Sequence, residues 1–139
     1  MFHVLEHIKD PIECLKELAT HLNKNGKIII EIPNASDALL KLYNCKSFAD
    51  FTYWSCHLFL YNNKTITDIV KKSGLKIKKR RNIQRYGLAN HLHWILKNKP
   101  GGHKVWAKYN FRPINKFYAF ILSILSLTDT IEIEVIKSK

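Results

Sequence analysis

Acidic residues are scarce in this 139-residue chain: 11 Asp and Glu stand against 23 Lys and Arg, a formal net charge of +12. Most of the excess is lysine scattered through every segment, so the charge alone does not name a partner. One true cluster stands out, formed by Lys71, Lys72, Lys76, Lys78, Lys79, Arg80, Arg81 and Arg85. It fits either a solvated face or an anionic partner, and a phosphate-bearing substrate would satisfy it as well as RNA. Cysteine is sparse too. Cys14, Cys45 and Cys56 are odd in number and widely spaced, which argues against a disulfide framework and predicts reduced thiols in a cytoplasmic protein.

Long apolar runs are missing as well. The longest, residues 117–127, is well short of the roughly 20 residues that a membrane-spanning helix needs. The first residues lack the charged start, apolar stretch and small-residue cleavage site of a signal peptide. No internal repeat or low-complexity tract is present. What remains is 46% hydrophobic and 12% aromatic, ordinary for a folded domain, and the length suits a single domain over 1–139.

The chain opens abruptly. Phe2, Val4 and Leu5 read as the end of a strand without its beginning, and Glu6-His7 follow before any turn. Asp10-Pro11 then starts a helix, since Asp caps well and Pro is tolerated at the first helical position. Ile12, Leu15, Leu18, Ala19 and Leu22 recur at helical spacing, and Asn25-Gly26 reads as a left-handed stop. The β-branched run from Lys27 to Ile32, closed by Pro33, suits a strand covered on both faces. Strand, helix and strand make a βαβ unit with a right-handed crossover.

Further along, a short helix is expected over 36–44 and another over 64–72, capped by Asn63 and stopped by Gly74. A strand follows over 75–84. Residues 86–106 read as a polar and aromatic loop with a turn at Pro100-Gly101-Gly102, and 113–126 as an apolar helix. Ile131, Ile133 and Val135 alternate with Thr130, Glu132 and Glu134, the pattern of a half-exposed strand and plausible antiparallel partner in the sheet.

The order Val4-Leu5-Glu6-His7, Asp10-Pro11, Leu15 to Leu22, Asn25-Gly26 and Pro33-Asn34 resembles the fourth strand, following helix and fifth strand of Rossmann-like S-adenosylmethionine-dependent methyltransferases. The later HLFLYNNKTITDIVKKSGLKI is similar to the same family's approach to its sixth strand. Residues 85–103 and the closing Asp129-Thr130-Ile131 resemble a subgroup of bacterial surface-polysaccharide pathways.

The resemblance implies an α/β fold: the C-terminal half of a methyltransferase sheet, strands four to seven, the last antiparallel, with flanking helices. Residues 1–34 would form the cofactor-side edge. Residues 35–61 and 86–112 would be acceptor-side or lid insertions, and 113–139 a closing helix and strand. The family's glycine-rich loop and its ribose-binding acidic residue have no counterpart in this sequence. The expectation is that both lie upstream of Met1, so that a separate N-terminal half, or self-association through the exposed fourth strand, completes the fold.

By the same resemblance, Phe2, His3, Val4 and Glu6 would line S-adenosylmethionine, unless they serve only to pack the strand. His7 and His57 would be catalytic, His7 as a base on the acceptor; equally, His7 could hydrogen-bond the corner and His57 cap the next helix. Asn34, Tyr53, Tyr86 and His91 would meet a small-molecule or sugar acceptor, against an ordinary core role for the aromatics. An alternative joins His3, Glu6, His7 and His57 around a metal ion, but their spacing is undistinguished and no metal is assigned. A non-catalytic remnant and a basic nucleic-acid-binding module over 71–85 stand as rivals.

Overall fold

The structure, a computed structural model, describes residues 1–53 and 56–138, and only the backbone of Tyr109. Trp54, within the aromatic stretch expected to face an acceptor, lies outside the described residues. Chain contacts divide it into two compact units. The first comprises Met1–Asn34, Cys56–Arg81 and Ile131–Lys139; the second, Ala35–Ser55 and Asn82–Thr130.

The first unit is built on a three-stranded antiparallel sheet of β1 (Ile28–Pro33), β2 (Leu75–Ile83) and β3 (Thr130–Lys137), in the order β1-β3-β2. The last strand in sequence is thus the middle one in space. Its alternation works as the sequence predicts: Ile131, Ile133 and Val135 are fully buried. On the other face Glu132 pairs with Arg81 and Glu134 with Lys27, both at 3.1 Å. The Lys27 ammonium holds the Glu134 carboxyl below its ordinary range.

Met1 to His3 lie along the other edge of β1. The Met1 amine donates to the Ile29 carbonyl at 2.7 Å, the Glu31 amide to that of Met1 and the His3 amide to that of Glu31, making a parallel bridge between Phe2 and Glu31. A one-turn 3-10 helix, Leu5–His7, follows. Helix α1 (Pro11–Thr20) starts where expected, Asp10 accepting the Glu13 amide at 3.1 Å. It stops earlier than predicted. Leu22 lies beyond the helix but still packs on the core, and the positive-φ glycines are Gly74 and Gly101, not Gly26. Gly26 sits in a close turn, where a Cβ would come within 3.1 Å of the Asn23 backbone. The need there is for space rather than for a left-handed backbone.

Helix α4 (Asn63–Lys72) packs on α1 and buries Ile66 and Val70. Its cap is Asn62 rather than Asn63: the Asn62 side chain accepts the Lys64 and Thr65 amides while Thr65 returns a bond to the Asn62 amide, a capping box. His57 therefore does not cap this helix. Gly74, at φ +72°, turns the chain into β2. Leu5, Leu15, Ile30, Ile32, Tyr61, Leu75 and the inward side chains of β3 complete one hydrophobic core.

The second unit is helical: α2 (Ala38–Lys41), α3 (Lys46–Thr52), α5 (Leu88–Lys97), α6 (Gly102–Val105) and α7 (Arg112–Ile124). Residues 88–97 form a helix where the sequence reads as a loop. Its apolar side chains are interleaved with Asn90, His91 and His93, and these polar groups are buried with it, which disguises the helical face. The predicted turn holds: Asn98 and Gly101 take positive φ on either side of Pro100. Gly102 then lets α6 approach α5, since a Cβ there would collide with the Ala89 carbonyl and His93 and lie 2.8 Å from the Asn90 Cα. Leu39, Cys45 and Trp94, with Phe48 against them, form this unit's small core.

Candidate active site

The corner after Met1–His3 gathers most of the first unit's chemistry. His3 adopts φ +52°, a region unfavourable for a residue with a Cβ and characteristic of constrained sites. Its two ring nitrogens face two carboxylates: Nδ1 is 3.4 Å from Glu6 Oε1 and Nε2 is 3.2 Å from Glu31 Oε1. Glu6 is fully buried, Glu31 nearly so. A buried carboxylate needs compensation, and the His3 ring lies between these two.

Neither Glu6 oxygen has a hydrogen bond, and the buried Tyr61 hydroxyl lacks one as well. The Tyr61 phenol is pushed up to about 12, first by burial and then by the Glu6 charge. It therefore stays protonated and able to donate. Buried polar atoms without partners are uncommon in folded proteins. Asn34 forms a parallel bridge with Tyr61 at the carboxyl end of β1. Glu31 and Tyr61 were not singled out from sequence. The available signal was an acid within the run Ile28-Ile29-Ile30-Glu31-Ile32.

His7 and His57 come together from segments fifty residues apart, their ring centroids separated by 5.0 Å and tilted by 43°. His7 Nδ1 lies 2.5 Å from the Cys56 carbonyl oxygen. A carbonyl only accepts, so Nδ1 carries the proton and Nε2 is left with a lone pair in the neutral ring. The Phe59 amide donates to the Glu6 carbonyl and holds the two segments in register.

Among the described residues, His7, Cys56 and His57 are a group whose ligand atoms all lie within 4.8 Å of one another. Two imidazoles and a thiol are a donor set suited to zinc, and the bond from Nδ1 to a carbonyl is the usual support of a ligating His. The four residues of the metal-ion alternative divide otherwise: His3 and Glu6 associate with Glu31, and His7 and His57 with Cys56.

Phe2 and Val4 are exposed beside this corner. In the second unit, Tyr53 is exposed at the end of α3, and exposed Tyr86 stacks at 5.6 Å on His103. His91 is buried. Gln84 Nε2 lies 3.1 Å from its Nε2 and Tyr118 Oη 2.7 Å from its Nδ1. The Asp129 amide donates to Gln84 Oε1, so the Gln84 amide nitrogen is the donor and His91 Nδ1 carries the proton toward Tyr118. Burial lowers the His91 ring to about 4. It is a neutral link in a fixed network that continues to Tyr43.

The family model described as "Methyltransferase domain" matches residues 1–79, which include the His3, Glu6, Glu31 and Tyr61 cluster and the His7–His57 pair. No curated protein matches the chain. With more than half of its length under that model, the chain belongs to the methyltransferase-domain family, whose methyl donor is of the S-adenosylmethionine type.

Proposed function

We propose that this chain supplies the acceptor side and one cofactor wall of a methyltransferase that acts on a small-molecule or sugar acceptor in surface-polysaccharide synthesis. The observation that carries the reading is the His7–His57 pair beside a buried, unsatisfied Glu6–Tyr61 pair.

The residues present fit part of such a cofactor's site. Phe2 and Val4 offer exposed apolar surface to its methionine portion, and His3 offers a polar group to its amino-acid end with buried Glu6 behind it. The five glycines, at 26, 74, 87, 101 and 102, form no glycine-rich strand-to-helix loop. A further polypeptide segment, in the same chain or a partner, is therefore expected to complete cofactor binding. When bound, the cofactor supplies the electrophilic methyl group.

The remaining work belongs to this chain. His7 Nε2 takes the acceptor's proton, while the bond from Nδ1 to Cys56 fixes the ring and its tautomer. His57 flanks the acceptor, and the unpartnered Tyr61 hydroxyl is left able to donate to a bound group. Asn34 in the first unit and, separately, Tyr53, Tyr86 and His91 in the second remain the proposed acceptor-side residues, His91 through the position it gives Tyr118.

The test uses tagged chain purified from its own cells, tritiated S-adenosylmethionine and a panel of nucleotide-linked and lipid-linked sugars. Tritium transfer to a sugar, lost in His7→Gln, is the expected result. Transfer to RNA or protein but not to sugars would overturn the acceptor class. Calorimetry on the isolated chain checks the second claim: micromolar binding of S-adenosylmethionine would refute the need for a further segment.

A further inference from the structure

Helix α7 turns its weaker apolar face inward. Leu122 is buried, Tyr118 bonds to His91, and Asn115 accepts the Leu88 amide at 3.1 Å. At 100° per residue, Ile114, Phe117, Phe120, Ile121 and Ile124 share an arc of about 120° on the opposite side. All five are exposed, Phe117, Phe120 and Ile124 by 66, 62 and 66%. A solvated helix normally places such residues against a core. Ile114 also lines an apolar cleft with Leu88, Leu92 and Trp106.

Charge indicates what covers this face. Residues 69–128 contain fourteen Lys and Arg and no Asp or Glu. On the helical wheel Lys116 borders the exposed arc, Arg112 stands at the first residue of the helix on the same flank, and Lys104 and Lys108 precede the helix. A second copy of the chain would set Lys116 and Arg112 against their own equivalents, with no nearby acid in the sequence to neutralise them. Nucleic acid would satisfy the cations but would leave Ile114, Ile121 and Ile124 in water. A surface that is both anionic and apolar accepts both kinds of side chain.

We propose that α7 is an in-plane anchor by which this chain docks on an anionic lipid bilayer, Phe117, Phe120 and Ile124 entering the acyl boundary and Arg112 and Lys116 meeting lipid phosphates. The helix lies on the surface and does not span it; no helix among the described residues is long and apolar enough to cross a membrane.

Sedimentation with vesicles tests this. The whole chain is expected to bind equimolar phosphatidylglycerol and phosphatidylcholine at least roughly tenfold better than phosphatidylcholine alone, since each basic residue near an anionic surface contributes about 1 kcal/mol. Phe117→Glu with Ile124→Glu should abolish binding, and Lys116→Glu should weaken it about fivefold or more. All these positions are exposed, so circular dichroism should match the parent and confirm that the variants fold. Equal binding to both vesicle types, unchanged binding by the double variant, or loss of vesicle binding to competing RNA would each overturn the proposal. So would a dimer in gel filtration that the double variant converts to monomer while neither form binds vesicles.

Discussion

The imidazole of His7 stands 5.0 Å from that of His57 and donates its Nδ1 proton to the carbonyl of Cys56, the residue just before it. The bond ties tautomer to function. In long-range nitrogen–proton spectra the neutral His7 ring should show protonated Nδ1 and bare Nε2. Replacing it with Gln should lower kcat for methyl transfer by about 10²–10⁴, the usual contribution of a positioned base, with a much smaller change in KM. A ring protonated at Nε2 would remove the assigned role.

Tyr61→Phe should separate stability from binding. The hydroxyl is buried without a partner, so deleting it removes a desolvation cost and should leave urea stability unchanged or raise it by roughly 1 kcal/mol. Acceptor or cofactor affinity should fall in the same variant. A destabilised protein with unaltered binding would show the hydroxyl to be structural.

Two buried groups of the helical unit titrate in opposition. Burial, reinforced by the Asp129 charge and opposed by the Leu39 amide, raises Asp37 to about 7, and burial lowers His91 to about 4. Between the ordinary carboxyl value near 4 and pH 7, the unfolded chain has released the Asp37 proton that the folded chain keeps, so Asp37 makes stability fall as pH rises. His91 acts the other way. Between about 4 and 6.5 the unfolded chain holds a proton that the folded ring rejects, so stability falls as pH drops through that window. Each contributes a slope approaching 1.4 kcal/mol per pH unit. Burial raises Asp129 as well, adding to the Asp37 sign. Urea midpoints of Asp37→Asn should rise with pH across this window more steeply than those of the parent. A flatter profile would contradict the assignment.

Packing substitutions should be uneven. Ile133→Ala removes a fully buried side chain from the middle strand and should cost about 2–5 kcal/mol. Gly102→Ala adds only one carbon, yet it meets the α5 backbone and should cost about 1–3 kcal/mol. Both are read by thermal or urea unfolding.

The regular elements were legible because each carried local chemistry: Asp10-Pro11 for α1, the isoleucine run for β1, Gly74 before β2, and strict alternation for β3. Helix α5 was not, because Asn90, His91 and His93 interrupt its apolar pattern and are buried with it. The same limit applies to the site. His7 and His57 were identifiable as residue types, but Glu31 and Tyr61 became visible only once folding placed them beside His3 and Glu6. The apolar character of α7 was plain; which face it would bury was not, since period alone gives amphipathicity and not its direction.

The position of β3 has a kinetic consequence. Residues 130–137 fill the space between strands made from 28–33 and 75–83, so neither earlier strand can bond to the other. During synthesis both strands must wait, with one edge unpaired, until residues 130–137 have emerged. Long-range pairing of this kind folds slowly and leaves open edges exposed meanwhile. Nascent chains stalled before residue 130 should be captured by chaperones and sensitive to protease, with protection appearing in a single late step rather than by gradual accretion.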